Sequence, residues 1–188
     1  MKGNMRKKDQ PHDRYFKYMF QHRALAKEFL DIYLNRDIHQ AIDWRTFNLY
    51  DTSFMGAGES QKYADILYSA QVKGQPIAVL FMLNHERRPD KLLGLKIDEY
   101  KAGAIRRSER QDHGDHTFTI CFTIYNGSQR PYPHAYPYSY SHFIDFQARN
   151  FMELIILCEH NLRDLSIYRD IDLVSHGDVG IAELFMKH

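Results

Sequence analysis

The run TFTICFTIY at residues 117–125 constrains the fold more than any other part of the sequence. It is long, apolar and rich in β-branched and aromatic side chains, a pattern typical of a central strand that is buried on both faces. It ends at Asn126 and Gly127, two residue types that are common in turns. The chain is therefore expected to place this strand inside a sheet that other elements cover.

Three shorter runs before it predict consecutive strands, TFNLYDTSF, YADILYSA and PIAVLFML. The segment AQVKGQ between the last two contains the glycine that a tight connection needs, so these two runs are predicted to form a hairpin. A further apolar run, FMELIILC, predicts a last strand.

Helical spacing of apolar residues appears in three places. A helix or two with a buried stripe is predicted from Asp13, as the N-cap, to Tyr33. An amphipathic helix is predicted from Asp90 to about Arg107, followed by a polar connection over 108–116, and a short closing helix from Val179 to Lys187. The order of helix, three-strand meander, helix and strand indicates an α/β or α+β fold without internal repeats.

Composition narrows the class of protein. A chain of 188 residues with 44 % hydrophobic side chains is expected to form a single domain over 1–188, with a flexible basic tail at 1–10. No apolar run reaches the length of a membrane span and no secretory signal is visible, so a cytoplasmic protein without a membrane partner is expected. Cys121 and Cys158 lie in apolar runs and are interpreted as buried thiols.

An acidic residue inside an apolar strand needs a compensating partner, because an unpaired buried charge costs several kcal/mol. Asp65 is such a residue, and the next strand ends in Asn84, His85 and Glu86. Strand alternation directs Asn84 and Glu86 to one face and His85 to the other. If the two strands pair, Asp65 meets Asn84 and Glu86, which together favour a hard divalent cation. Phosphodiester hydrolysis uses such a cation to polarise the phosphate and lower the pKa of the attacking water.

Five pieces of the sequence, in this order and at this spacing, carry a family resemblance. They are HDRYFKYMF with AKEFLDIYL, DILY, LNHERRPDK, LLGLKIDEY and TIYNG. The chain resembles the Rpn family of bacterial recombination-promoting nucleases and transposase-like proteins, a branch of the PD-(D/E)xK nuclease superfamily. The resemblance covers nearly the whole chain. It implies an α/β fold with a restriction-endonuclease-like core, in which helices flank a central mixed sheet.

The resemblance also implies a DNA endonuclease that depends on Mg²⁺, or on Mn²⁺ or Ca²⁺. Asp65 matches the first acid of the motif, and Asp65 and Glu86 are the expected metal ligands. The chain departs from the family at Asn84, where relatives have Glu, and at Glu86, where they have Gln or, in the wider superfamily, Lys. The expected catalytic set is Asp65, Asn84, Glu86 and Lys96, with Lys96 orienting the nucleophile or screening the phosphate.

DNA is the expected partner, and the charge distribution indicates where it binds. Residues 87–110 contain eight basic and four acidic side chains, and the basic ones are expected on the exposed side of the helix. The predicted DNA-binding residues are Arg87, Arg88, Lys91, Lys101, Arg106 and Arg107. Family members run on further than this chain, so a C-terminal extension usual in the family is expected to be absent, and assembly into a homo-oligomer stays open.

Each feature also has a structural interpretation. Asp65 could form a salt bridge with the Arg87 and Arg88 region, Glu86 could be a solvated partner of Arg87, and Lys96 could be a surface charge. His113 and His116 have a spacing that can chelate Zn²⁺, although a plain loop is favoured. Loop tyrosines could stack on bases or pack on the sheet edge, namely Tyr132, Tyr136, Tyr138 and Tyr140.

Two other functions stay open. The chain could be a family member that has lost metal chemistry because Asn84 replaces the acid, and that now binds DNA or protein without cleavage. The resemblance could also be structural alone, with a fold that serves an unrelated partner.

Overall fold

A computed structural model describes residues 11–50, 65–111, 116–133 and 161–188 of the chain. Within them, three helices come first: α1 (Pro11–Phe20), α2 (Arg23–Tyr33) and α3 (Arg36–Ala41). The strands β1 (Ile42–Leu49), β2 (Ile66–Val72) and β3 (Ile77–Glu86) follow, and α4 (Leu93–Gln111) leads to β4 (His116–Tyr125). The described chain ends with β5 (Asn161–Asp164), a 3₁₀ turn (Leu165–Ile167), α5 (Asp170–Val174) and α6 (Gly177–Lys187).

The five strands form one mixed sheet in the order β1-β2-β3-β4-β5. The first three strands are antiparallel neighbours, whereas β3 with β4 and β4 with β5 run parallel. The connection from β3 to β4 passes through α4, as a parallel pair requires. The chain thus has a mixed α/β fold in which helices flank a five-strand mixed sheet.

Both faces of the sheet are covered. On one face, aromatic rings of α1, α2 and the sheet form the larger core cluster, with Phe16, Phe20, Phe29, Phe81 and Phe122 fully buried or nearly so. On the other face, Leu93, Ile97 and Ala104 of α4 pack on a second cluster that includes Leu80, Met82 and Cys121. The double coverage explains why β3 and β4 are continuous apolar runs rather than alternating ones.

The predicted elements agree with the structure at most places, and the differences include the following. Asp13 lies within the first turn of α1, not at its N-cap, because the helix already includes Pro11. Residues 108–111 continue α4 instead of forming a polar connection. The last strand of the sheet is the four-residue β5, which no apolar run marked. The predicted strand FMELIILC, Cys158 and the tail at 1–10 lie outside the described residues.

Candidate functional site

The hairpin of β2 and β3 brings Asp65 next to Asn84. Ile66 pairs with Leu83 in the antiparallel ladder, so the residue before Ile66 lies opposite the one after Leu83. The backbone N–H of Asp65 donates to Oδ1 of Asn84 at 3.2 Å. Asp65 stands immediately before β2, not inside it, and its side chain is 31 % exposed.

The carboxylate of Asp65 has two different partners. Its Oδ2 accepts the backbone N–H of His85 at 2.9 Å. Its Oδ1 lies 3.4 Å from Nζ of Lys17 on α1. The ion pair described for Asp65 is therefore made with Lys17, whereas the structural alternative from the sequence had placed its partner in the Arg87 and Arg88 region.

The side chains of Asn84, His85 and Glu86 alternate across β3 as the sequence predicts. Asn84 faces α4, and its Nδ2 donates to Sγ of Cys121 at 3.2 Å. Glu86 faces the same way and binds Nζ of Lys96. His85 faces the other layer of helices, where Nδ1 lies 2.7 Å from Oδ1 of Asp13.

Glu86 and Lys96 form an ion pair, whereas one of the two interpretations left open by the sequence made Glu86 a solvated partner of Arg87. The two side chains are 20 % and 36 % exposed. Burial by itself lowers the pKa of Lys96, but its hydrogen bond to the Glu86 carboxylate raises the pKa above the ordinary value. Lys96 is therefore held as an ammonium at the end of β3 instead of standing alone on the helix surface.

Tyr100, one helical turn after Lys96, faces the same carboxylates. Its pKa is raised by burial first, and Glu86 and Asp65 raise it further while Lys96 opposes them. Both acids therefore lie close enough to this phenol to affect its pKa. Tyr100 was not predicted as a site residue, although its spacing of four from Lys96 on a helix is the signal that could have found it.

His85 is part of the scaffold, as predicted. Its ring is stacked on Phe16 at a centroid distance of 5.4 Å, and the side chain is 1 % exposed. Nε2 of His85 lies 3.0 Å from Oδ1 of Asn126, whose Nδ2 donates to the carbonyl oxygen of Met186 at 2.6 Å. The imidazole thereby joins α1, β3, the end of β4 and α6.

The predicted DNA-binding residues that the structure describes differ in their exposure. Arg88 and Lys91 are exposed, whereas Arg87 is half-buried and close enough to His12 to add to the effect of burial in lowering the pKa of that histidine. Lys101 follows Ile97 by one turn, is half-buried, and lies close enough to the Cys121 thiol to affect its pKa. Lys96, which pairs with Glu86, and the half-buried Lys101 therefore do not stand fully on the outer side of α4, where the basic residues were expected.

Some predictions fall on parts that are not described. Arg106 and Arg107 lie in α4, but their side chains are outside the described part. The same holds for the side chain of His116 and for the whole of His113. Tyr136, Tyr138 and Tyr140 are outside it as well. Tyr132 is described, and its hydroxyl donates to the carbonyl oxygen of Asp90 at 2.9 Å. Its backbone N–H donates to Oδ2 of Asp164 at 2.6 Å, which agrees with packing on the sheet edge.

The donor set fits a hard cation in chemistry, with one carboxylate immediately before β2 and the other at the end of β3. Within the described ranges, no group of three or more His, Cys, Asp or Glu side chains could hold a metal ion. Two protein carboxylates suffice for Mg²⁺, which keeps several waters and is completed by substrate phosphates. An amide oxygen has two lone pairs. Oδ1 of Asn84 uses one of them to accept the N–H of Asp65, so the other could bind a cation.

The fold and the site define a class: a mixed α/β protein with paired carboxylates and lysines where β2 begins and β3 ends. The chain belongs to the family described as "Putative transposase, YhgA-like", whose model matches residues 10–188. It is similar to the Recombination-promoting nucleases RpnC and RpnA of Escherichia coli strain K12, at 28 % and 24 % identity over 95 % of this chain. It is also 23 % identical, over 95 % of its length, to the Inactive recombination-promoting nuclease-like protein RpnE of the same strain.

The resemblance to the Rpn family is therefore confirmed. The chain spans 58 % of RpnC and 60 % of RpnA, about three fifths of their lengths. No solved structure matches it. Among the described residues, no helix combines the length and the apolar character that crossing a bilayer demands.

Proposed function

We propose that this chain is a divalent-metal-dependent DNA endonuclease domain of the PD-(D/E)xK type. The observation that carries the proposal is the pairing of two acids with two lysines at one end of the hairpin, Asp65 with Lys17 and Glu86 with Lys96. Relatives named as nucleases support the same class of activity.

Asp65 and Glu86 would hold the cation, which when bound supplies Lewis acidity at the phosphodiester. The backbone N–H of His85 orients the Asp65 carboxylate through its bond to Oδ2. The ammonium of Lys96 stabilises negative charge that develops on the phosphate. Because α4 covers this face of the sheet, it reduces the exposure of Lys96 and of the phosphate to water. Mg²⁺ is the cation expected first, with Mn²⁺ and Ca²⁺ as probes of the same ligands.

The direct test is nicking of a supercoiled plasmid with Mg²⁺ or Mn²⁺, with and without a chelator. Asp65→Asn keeps an oxygen that can accept the His85 N–H but removes the charge, and it should reduce cleavage by at least about 100-fold. Asp31→Asn is the matched control, because Asp31 also pairs with a lysine, Lys27, but on α2. Equal nicking by Asp65→Asn and the wild type would refute the assignment of the site.

A second function, binding of DNA without cleavage, is favoured by Asn84. Its amide contacts both Asp65 and Cys121 and stands where the family has an acid, and one relative is named as inactive. In that case DNA binding would weaken with salt in proportion to the phosphates contacted, and no cation would produce nicks. Cleavage by Asn84→Glu, where the wild type shows none, would identify Asn84 as the cause.

A further inference from the structure

Lys17 contributes an ammonium group to the candidate site from a part of the chain far from the basic residues at 87–110. Its Nζ lies 3.4 Å from Oδ1 of Asp65, and its side chain is 45 % exposed. Lys17 belongs to α1, whereas Lys96 reaches the site from α4 on the other side of the sheet. The site is thus flanked by two lysines from different layers of the fold.

The backbone of α1 is fixed relative to Asp65. Asp13, one helical turn before Lys17, lies 2.7 Å from Nδ1 of His85, and the buried ring of Phe16 is stacked on the same imidazole. The backbone N–H of His85 in turn holds Asp65. Because these contacts fix the start of the Lys17 side chain, only its flexible methylene stem is free to move the ammonium.

The two ion pairs balance the charge of the site. Asp65 faces Lys17 and Glu86 faces Lys96, so each carboxylate has an ammonium beside it. A divalent cation between the acids would repel both ammonium groups. Lys17 is the more exposed of the two lysines and has the longer contact, so it is the easier to displace.

We propose that Lys17 competes with the divalent cation for Asp65 and, once displaced, binds a phosphate of the DNA. The inference rests on the proposed function and extends it by naming a phosphate-binding residue on α1. A lysine suits this role because its ammonium is a compact charge on a long stem, which can move from a carboxylate to a phosphate without movement of the backbone.

The first test is a titration of the purified protein with Mn²⁺ in the absence of DNA, with the heat of binding measured by calorimetry. Lys17→Met keeps the length of the side chain and removes the competing charge, so Mn²⁺ should bind about two- to fivefold more tightly, the factor expected for a half-exposed ion pair. Lys27→Met is the matched control, since Lys27 pairs with Asp31 at 2.7 Å on α2 and should leave the affinity unchanged.

The second test measures binding of a fluorescent DNA duplex against salt, with Ca²⁺ to slow cleavage or with a chelator. In Ca²⁺, Lys17→Met should bind DNA more weakly and reduce the slope of log K against log[salt] by about 0.9, the value for one phosphate contact. With the chelator the difference should be smaller, because Asp65 then retains Lys17. Lys27→Met should behave as the wild type in both buffers.

The outcomes separate the inference from the proposed function. Unchanged or weaker Mn²⁺ binding by Lys17→Met, or an unchanged salt slope in Ca²⁺, would overturn the role of Lys17 while leaving the metal site intact. Equal Mn²⁺ affinity of the wild type and Asp65→Asn would overturn the metal site itself, and the competition with it.

Discussion

Asn84 and Cys121 are joined across the parallel strands β3 and β4 by a bond of 3.2 Å from Nδ2 to Sγ. Asn84 is 6 % exposed and Cys121 is fully buried. The oxygen of the same amide accepts the N–H of Asp65. Both ends of the Asn84 side chain are therefore used inside the protein, and the position is set for a neutral amide.

Asn84→Glu should consequently destabilise the protein unless a metal ion is bound. Without one, a buried carboxylate would replace the donor to Cys121 and add to the charges of Asp65 and Glu86, at a cost of about 3 kcal/mol in the free energy of unfolding. Mn²⁺ should recover much of that loss, because binding to the native state stabilises it. Urea unfolding with and without Mn²⁺ measures both effects.

The matched control for that variant is Asn48→Glu, a change at an exposed position of β1. It should cost little, and Mn²⁺ should not alter its stability relative to the wild type. An equal loss in Asn84→Glu with and without Mn²⁺ would mean that the new carboxylate does not reach a cation at this site.

The end of β4 depends on Gly127, where a side chain has no room. A Cβ at this position would overlap the hydroxyl of Tyr125 and the backbone carbonyl oxygen of Arg87. A backbone oxygen cannot turn away as a flexible side chain does, so Gly127→Ala should cost about 3 kcal/mol. The displaced Arg87 carbonyl follows Glu86 directly, so cleavage should also decrease.

Gly74→Ala is the comparison for that substitution, because its constraint is of another kind. Gly74 has a φ of +66° but open space around a Cβ, so alanine there should cost about 1 kcal/mol from backbone strain alone. Denaturant unfolding of both variants tests the difference. A smaller loss at Gly127 than at Gly74 would contradict the close approach at the end of β4.

The face of each residue at the end of β3 could be predicted from the sequence because strand alternation has a period of two. The hairpin register then followed from the short connection, and it brought Asp65 beside Asn84. These are local rules that a pattern of residues can express. The same rules could not find Lys17, whose contact with Asp65 joins α1 to the start of β2 through tertiary packing alone.

Two other differences from the prediction, the partial burial of Lys101 and the strand β5, have physical causes as well. Charge counting placed Lys101 on the outer surface, although it follows Ile97 by one turn and is half-buried at the flank of the stripe that faces the sheet. β5 was missed because its four residues, NLRD, form a short strand with two half-exposed polar positions. A hydrophobic pattern needs a longer run to be visible.

The buried thiol of Cys121 makes the stability of the protein sensitive to alkaline pH. Burial raises the pKa of Cys121 from 9.0 to about 12, and the nearby Lys101 and the hydrogen bond from Asn84 oppose this only in part. Between these two values the unfolded chain has lost a proton that the native state keeps. Stability is therefore fully present below pH 9 and decreases as the pH rises toward 12.

From pH 8 to pH 10 the wild type should lose about 1.4 kcal/mol more stability than Cys121→Ala, which lacks the titrating group. Urea unfolding of both proteins at the two pH values measures the difference directly. The alanine variant starts from a lower stability because it leaves a small cavity, so the test concerns the change with pH and not the absolute value. Tyrosines and Lys96 titrate in both proteins and cancel in the comparison. Parallel loss in the two proteins would show that the thiol ionises as readily in the native state as in the unfolded chain, and that α4 does not keep water away from the face of the sheet where Asn84 and Glu86 lie.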